Sequence, residues 1–443
     1  MKRNSKVTST LSSAIALALA TASTTVLAAG FQIGEHSATG LGRANAGEGA
    51  IADTALVLTK NPAAMMMFDK ITVSSQLAFI APDVNTDYDG GNKTEEDYAP
   101  DQFVPSFAAI MPINDKVAVG FAMFSNYGTG TEISDEFDYG DVGGTTSIIT
   151  IDSSFNIAYR VNDLLSIGAG YDLVVGQAEM ARDTGIPTMG SFDMNGNAIG
   201  HGWNVGTLLE FNENHRLALT YRSAVDMSFE GDFIGDGAAF DPKPVKGTLP
   251  TPPSFGPFIP GTPGTPPDYS ASNVTGTVDI TLPAIAELSG YHKLTDMFAV
   301  HYSAMWTQWS ALEELKATSN DCAGVLNPAG TCFEKPLHYS DSMRYAVGTT
   351  MYVSESVTLR AGYAFDQQAG EAIVAMPDTD RHQISAGMSY AASETMSFDF
   401  GAAYILGEEI DFKEESALAG FQDIAFTSTA TAIIVSAQMN MVF

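Results

Sequence analysis

Period-two alternation recurs along this chain, and no apolar run of about 18 residues occurs beyond the N-terminus, so strands rather than spanning helices must carry the fold. From Leu165 to Val175 the odd positions are apolar while the even ones are mostly Gly, Ser or Asp. Leu217, Leu219, Tyr221, Val225, Met227 and Phe229 alternate in the same way with Arg216, Thr220, Arg222, Asp226 and Ser228. Phe298, Val300, Tyr302, Ala304 and Trp306 repeat the pattern. In a water-soluble sandwich the apolar face meets a second sheet. Here the polar face carries charge and much glycine, which suits a lumen, and the apolar face suits lipid.

Loop lengths support the same reading. Short turns fall at Asn114–Lys116, Val161–Asp163, Asn212–Asn214, Leu294–Asp296, Ser354–Ser356 and Ser393–Thr395, with much longer connections between them. Short turns on one side and long loops on the other predict an all-β transmembrane barrel of about fourteen antiparallel strands, with both ends in the periplasm. Nothing in the 443 residues marks a linker between separate cores. Val435, Ala437, Met439, Met441 and the terminal Phe443 share one parity, like the signal read by the bacterial barrel-assembly machinery. The localisation expected is the outer membrane of a Gram-negative bacterium.

The N-terminus departs from this pattern. Lys2, Arg3 and Lys6 precede an apolar Ala/Leu segment ending at Val26-Leu27-Ala28, which reads as a secretory signal over residues 1–28. Its loss moves the formal charge from −31 to −34. Residues 29–70 are rich in Gly and Ala and lack the alternation, so they are expected to form a hatch inside a barrel built from residues 71–443.

With 52 acidic against 21 basic side chains, a nucleic-acid surface is excluded. Acids such as Asp87, Asp89, Glu95, Glu96 and Asp97 read as a solvated outer surface that bridges lipopolysaccharide through divalent cations. No EF-hand spacing backs a calcium site. Cys322 and Cys332, the two cysteines, are expected to pair as a disulfide in an oxidising envelope. A zinc site would need two further ligands, and His338 alone stands nearby. No metal or cofactor is therefore expected. The connection Gly231–Asn273 is proline-rich yet carries Phe233, Ile234, Phe240, Phe255, Phe258 and Ile259, as a greasy landing patch or as packing on neighbouring loops. No G-x-S-x-G occurs and the histidines are scattered, so an outer-membrane enzyme is the weaker alternative.

GFQ at Gly30, GLGRANAGEGAIAD and KNPAAMMMFDK in the hatch, SNYG at Ser125–Gly128, WNVGTLLEFNENHRLALTYRS at Trp203–Ser223 and WSALEELKATS at Trp309–Ser319 together resemble the FadL family. These are outer-membrane transporters of long-chain fatty acids and related hydrophobic compounds. The resemblance implies passive transport by a monomer, with no enzymatic activity, and aromatic hydrocarbons as the alternative substrate. It also implies a fatty-acid pocket holding Arg182 and Lys316, with Phe31 grouped as a ligand contact. Finally, it implies a lateral gate in which Asn61 and Pro62 of the hatch touch a kinked third strand near Ser125 and Gly128.

Overall fold

The computed structural model describes residues 30–183, 191–235, 272–322, 330–416 and 418–443. The expected signal segment lies outside them, as do Phe240, Phe255, Phe258 and Ile259.

The strands form one closed antiparallel barrel of 14 staves, divided by interruptions into 7 further strands. In chain order β1 (Thr72–Tyr88) is followed by β2 (Lys93–Glu95) and β3 (Gln102–Asn114), which share a stave. The third stave is β4 (Val117–Phe124) and β5 (Gly128–Glu132). Then come three long strands, β6 (Thr145–Arg160), β7 (Leu165–Asp183) and β8 (Ser191–Asn212). The next staves are split: β9 (His215–Arg222) with β10 (Val225–Gly235), and β11 (Ser272–Leu282) with β12 (Ile285–Lys293). Likewise split are β13 (Phe298–Thr307) with β14 (Glu314–Thr318), and β15 (Thr331–Pro336) with β16 (Ser342–Tyr352). β17 (Val357–Asp366), β18 (Arg381–Ser393), β19 (Met396–Gly407) with β20 (Ile410–Ser416), and β21 (Gln422–Val442) complete the wall. Closure runs from Thr72↔Val442 to Asp87↔Thr427 between β1 and β21.

A membrane needs about 9–11 residues of tilted strand. β7 has 19 and β8 has 22, so the wall stands well above the bilayer on the long-loop side. The inside–outside chemistry inverts where it leaves the lipid. On β7, outward Ile167 and Tyr171 are exposed beside inward Ser166 and Asp172, whereas farther up inward Val174, Ala178 and Met180 are buried and Gln177 and Glu179 face out. Water now lies outside, so polar groups turn outward and the apolar ones gather within.

On the stave of β9 and β10 the inversion needs a break. Leu219 faces lipid, but after Ser223-Ala224 the parity flips and Val225, Met227, Phe229 and Phe233 are buried inside. The sequence reading placed Val225, Met227 and Phe229 on the lipid face and Phe233 in a loop. The break, invisible to a strict period of two, reverses both assignments. Cys322 and Cys332 are joined, as expected, with S–S 1.99 Å.

Residues 30–70 fill the lumen. Their helical turns are short, Ala38–Leu41 and Glu48–Ile51, and packing rather than length holds them. Arg43, 1% exposed, contacts Glu48 and bonds Asp53 at 2.7 Å, and Asp53 reaches Arg360 of β17 at 3.3 Å. Wall glycines admit the hatch backbone. A Cβ on Gly362 would sit 2.2 Å from the Arg43 carbonyl, and one on Gly168 would sit 2.4 Å from the Ala63 nitrogen.

Candidate functional site

Above the hatch the inverted staves enclose an apolar storey. Phe31, Tyr127, Met180, Met194, Met227, Phe229, Ile280, Trp309 and Leu315 form one buried cluster. Trp309 sits with its ring 4.9 Å from that of Phe31, and Tyr127 lies edge-on to Phe31 at 5.8 Å. Four methionines, Met180, Met194, Met227 and Met376, give this storey side chains that re-pack readily around an apolar guest.

Arg182, at the outer end of β7, faces this storey and is 6% exposed. It donates to the Thr145 carbonyl at 2.7 Å, the Ala181 carbonyl at 2.8 Å and Thr146 Oγ1 at 2.8 Å. Burial pushes its guanidinium down to about 10, with Asp141 opposing, so it stays charged at neutral pH. Glu179, which sequence proximity offers as a neutralising partner, points outward.

Lys316 does not join Arg182. In the β14–β15 ladder Lys316 stands opposite Glu334 and Leu315 opposite Lys335. Leu315 belongs to the buried cluster, so Lys316 occupies the other face, where it pairs with Glu334 at 3.0 Å and Glu314 at 3.6 Å. The inner lysine is Lys335, which contacts Glu414; burial, and then the like charge of Arg182, lowers its pKa. Sequence reasoning missed Lys335, for which the only signal was its place three residues from Cys332; β14 keeps the odd-inward parity of β13 across the turn at Trp309–Ala311.

The third stave carries the second feature. Phe124 pairs with Asp152 and Gly128 with Ile149, so β6 advances three residues while the third stave advances four. The surplus residue makes a bulge at Ser125-Asn126-Tyr127. Its backbone is taken up by the hatch: Ile33 N–H donates to the Asn126 carbonyl at 2.7 Å, Gly128 N–H to the Phe31 carbonyl at 2.9 Å, and Gln32 bridges Tyr127. His36 Nε2 donates to the Ser125 carbonyl at 2.7 Å. Asn126 donates to Asp152 through its backbone and side-chain nitrogens, both at 3.2 Å.

The bulge opens the wall. The β3–β4 ladder stops at Phe107↔Met123, while Gln102–Ser106 of β3 continue to pair with β1 alone. β5 pairs with β6 on its other side. These five unpaired positions span about 17 Å along the strand. The window faces lipid, since Leu77 and Phe103 beside it are 48% and 51% exposed.

Asn61 is not at this break. Its side chain donates to the Gly49 carbonyl at 2.7 Å and the Thr207 carbonyl at 3.1 Å, and accepts from Ala63 N–H at 2.9 Å, while Pro62 packs on Gly168. The motif therefore seats the hatch on β7 and β8. Phe31 to His36 make the contacts with Ser125 and Gly128 that were expected of Asn61 and Pro62.

A family model described as outer membrane protein transport protein (OMPP1/FadL/TodX) matches residues 19–443. The long-chain fatty acid transport protein of Escherichia coli K12 is 36% identical over 440 residues, covering 91% of this chain and 93% of the relative. Outer membrane protein P1 of Haemophilus influenzae is 32% identical over 454 residues, covering 91% of both. Among solved structures, a Pseudomonas aeruginosa FadL homologue superposes with TM-score 0.79 at 19% identity over 93% of this chain and 99% of its own. The Pseudomonas putida toluene transporter TodX gives 0.66 at 14% identity, over 93% and 99%.

Proposed function

We propose that this chain, which belongs to the OMPP1/FadL/TodX family of outer membrane transport proteins, captures long-chain fatty acids at the cell surface and releases them sideways into the membrane. The observation that carries this reading is one continuous arrangement: an apolar storey capped by buried, charged Arg182 and floored by Phe31, beside a wall stave that fails to pair where it faces lipid.

Each end of the ligand has a counterpart. Burial contributes about 0.8 kcal/mol per methylene, so a tail of twelve groups supplies about 10 kcal/mol and sets affinity. The carboxylate head needs a cation, because an unpaired buried charge is costly. Arg182 supplies that charge; Lys335 lies on the same inner face, where Glu414 already pairs with it. Flow is downhill, with surface capture, the apolar storey and the window as successive stations. The hatch, tied to the wall through Asp53 and Arg360, blocks the straight route.

The aromatic lining of Phe31, Tyr127, Phe229 and Trp309 favours a second reading, aromatic hydrocarbons, as the name of the toluene transporter suggests for that relative. The two readings part in one experiment. Cells lacking other uptake routes and expressing this protein are offered labelled dodecanoic acid and labelled toluene. Saturable uptake of the acid supports fatty-acid transport; saturable uptake of toluene with none of the acid overturns it.

A further inference from the structure

At the lower end of the window lie three buried polar side chains, each with an atom that has no partner. Ser106 stands opposite Gln76 in the β1–β3 register, one residue past the last β3–β4 pair. Ser106 is 2% exposed, Gln76 3% and His36 1%. Gln76 Nε2 spends both hydrogens, on the Glu35 carbonyl at 3.0 Å and Ser436 Oγ at 2.9 Å, which ties it to the residue before His36. His36 in turn holds the bulge at Ser125 and lies with its ring 5.0 Å from that of Phe124, the residue after Met123. Among the described residues, Gln76 Oε1, Ser106 Oγ and His36 Nδ1 have no hydrogen-bond partner.

Their chemistry is specific. The Ser125 carbonyl can only accept, so His36 Nε2 carries the ring proton and Nδ1 of the neutral imidazole is a bare acceptor. Gln76 Oε1 is a second acceptor. Ser106 alone can donate or accept. A guest that bonds either acceptor must therefore bring a hydrogen of its own.

We propose that this niche is a head-group station on the exit path, selective for an uncharged O–H-bearing head, a carboxylic acid or a primary alcohol. The inference rests on lateral release. A fatty carboxylate arriving there takes up one proton from hydronium of the surrounding water, which is left as neutral water. Its new O–H donates to His36 Nδ1 or Gln76 Oε1, and its carbonyl accepts from the Ser106 hydroxyl. A carboxylate or an alkane offers the two acceptors nothing. The station thus couples loss of charge to departure, at the point where the head must leave a polar lumen for hydrocarbon.

Ser106→Ala tests this without endangering the fold, since removing an unpartnered buried hydroxyl does not cost stability. Proteoliposomes carrying wild type, Ser106→Ala and Ser106→Thr are given labelled dodecanoic acid, 1-dodecanol and dodecane. Loss of one hydrogen bond lowers acid and alcohol uptake by roughly three- to tenfold, leaves dodecane unchanged, and is restored by threonine. If all three ligands are unaffected, or fall together, the niche holds water only and the inference is overturned. A variant lacking Asn126, the surplus residue of the bulge, runs in parallel. If it carries every ligand as well as wild type, lateral release itself fails and the station falls with it. If it blocks transport while Ser106→Ala is indiscriminate, the station alone is wrong.

Discussion

Replacing Arg182 with Gln removes a charge whose environment makes its contribution calculable. The guanidinium is 6% exposed, and its three protein acceptors are two carbonyls and a hydroxyl, all neutral. Among the described side chains no carboxylate lies within ion-pair distance, and Asp141 acts on it from farther away. A ligand carboxylate reaching it gains a charge-assisted hydrogen bond of about 1.5–3 kcal/mol, or roughly 10- to 150-fold in Kd. Dodecanol of the same tail length has no such gain. Trp309, packed against Phe31 in the same storey, provides the signal, because a tail entering there changes the surroundings of its indole. Titrations of wild type and Arg182→Gln followed by tryptophan fluorescence should show a large loss for dodecanoic acid and little change for dodecanol. Equal loss for both ligands would mean that Arg182 merely holds β6 and β7 together, and would refute the head-group role.

Lys335→Gln should weaken acid binding in the same titration while Lys316→Gln should not, because the β14–β15 register puts only Lys335 on the inner face. Gly362→Val drives a side chain into the Arg43 carbonyl, so the hatch should shift and planar-bilayer recordings should show open-pore conductance that wild type lacks. Asp53→Ala leaves Arg43 and Arg360 without their shared carboxylate, at a cost of about 3–5 kcal/mol, seen as earlier protease cleavage within residues 30–70. Replacing Cys322 and Cys332 with Ser should lower local stability by about 2–3 kcal/mol, measured as faster hydrogen exchange in β14 and β15, with the barrel still folding.

The barrel was legible because lipid imposes a simple rule: Ile167, Tyr171 and Leu219 must face out along strands of period two. That rule ends where the wall leaves the membrane. Above it β10 restarts after the break at Ser223-Ala224 with its parity shifted, so Met227 was assigned to the wrong face, whereas β14 keeps the odd-inward parity of β13 across Trp309–Ala311, which leaves the even Lys316 outside. On β7, which crosses the same boundary unbroken, the even, inward parity of Ser166 and Asp172 runs on to Arg182. The bulge at Ser125–Tyr127 shows in sequence only as a change of composition. Its surplus residue and its partners Phe31 to His36 depend on contacts about ninety positions apart, which no local pattern encodes. Asn61 misled because its motif marks a hatch contact without saying which stave it meets.

The central claim is that ligand leaves through the wall between β3 and β5 and not down the lumen. Deleting Asn126 removes the one residue by which the third stave exceeds β6, allowing Gly128 onward to continue the β4 ladder beside Gln102–Ser106. Uptake of labelled dodecanoic acid by this variant, measured at surface levels matched to wild type and with fluorescence titration confirming that capture persists, is the direct measurement. Lateral release predicts binding retained and uptake lost. Uptake equal to wild type with the stave closed would contradict it.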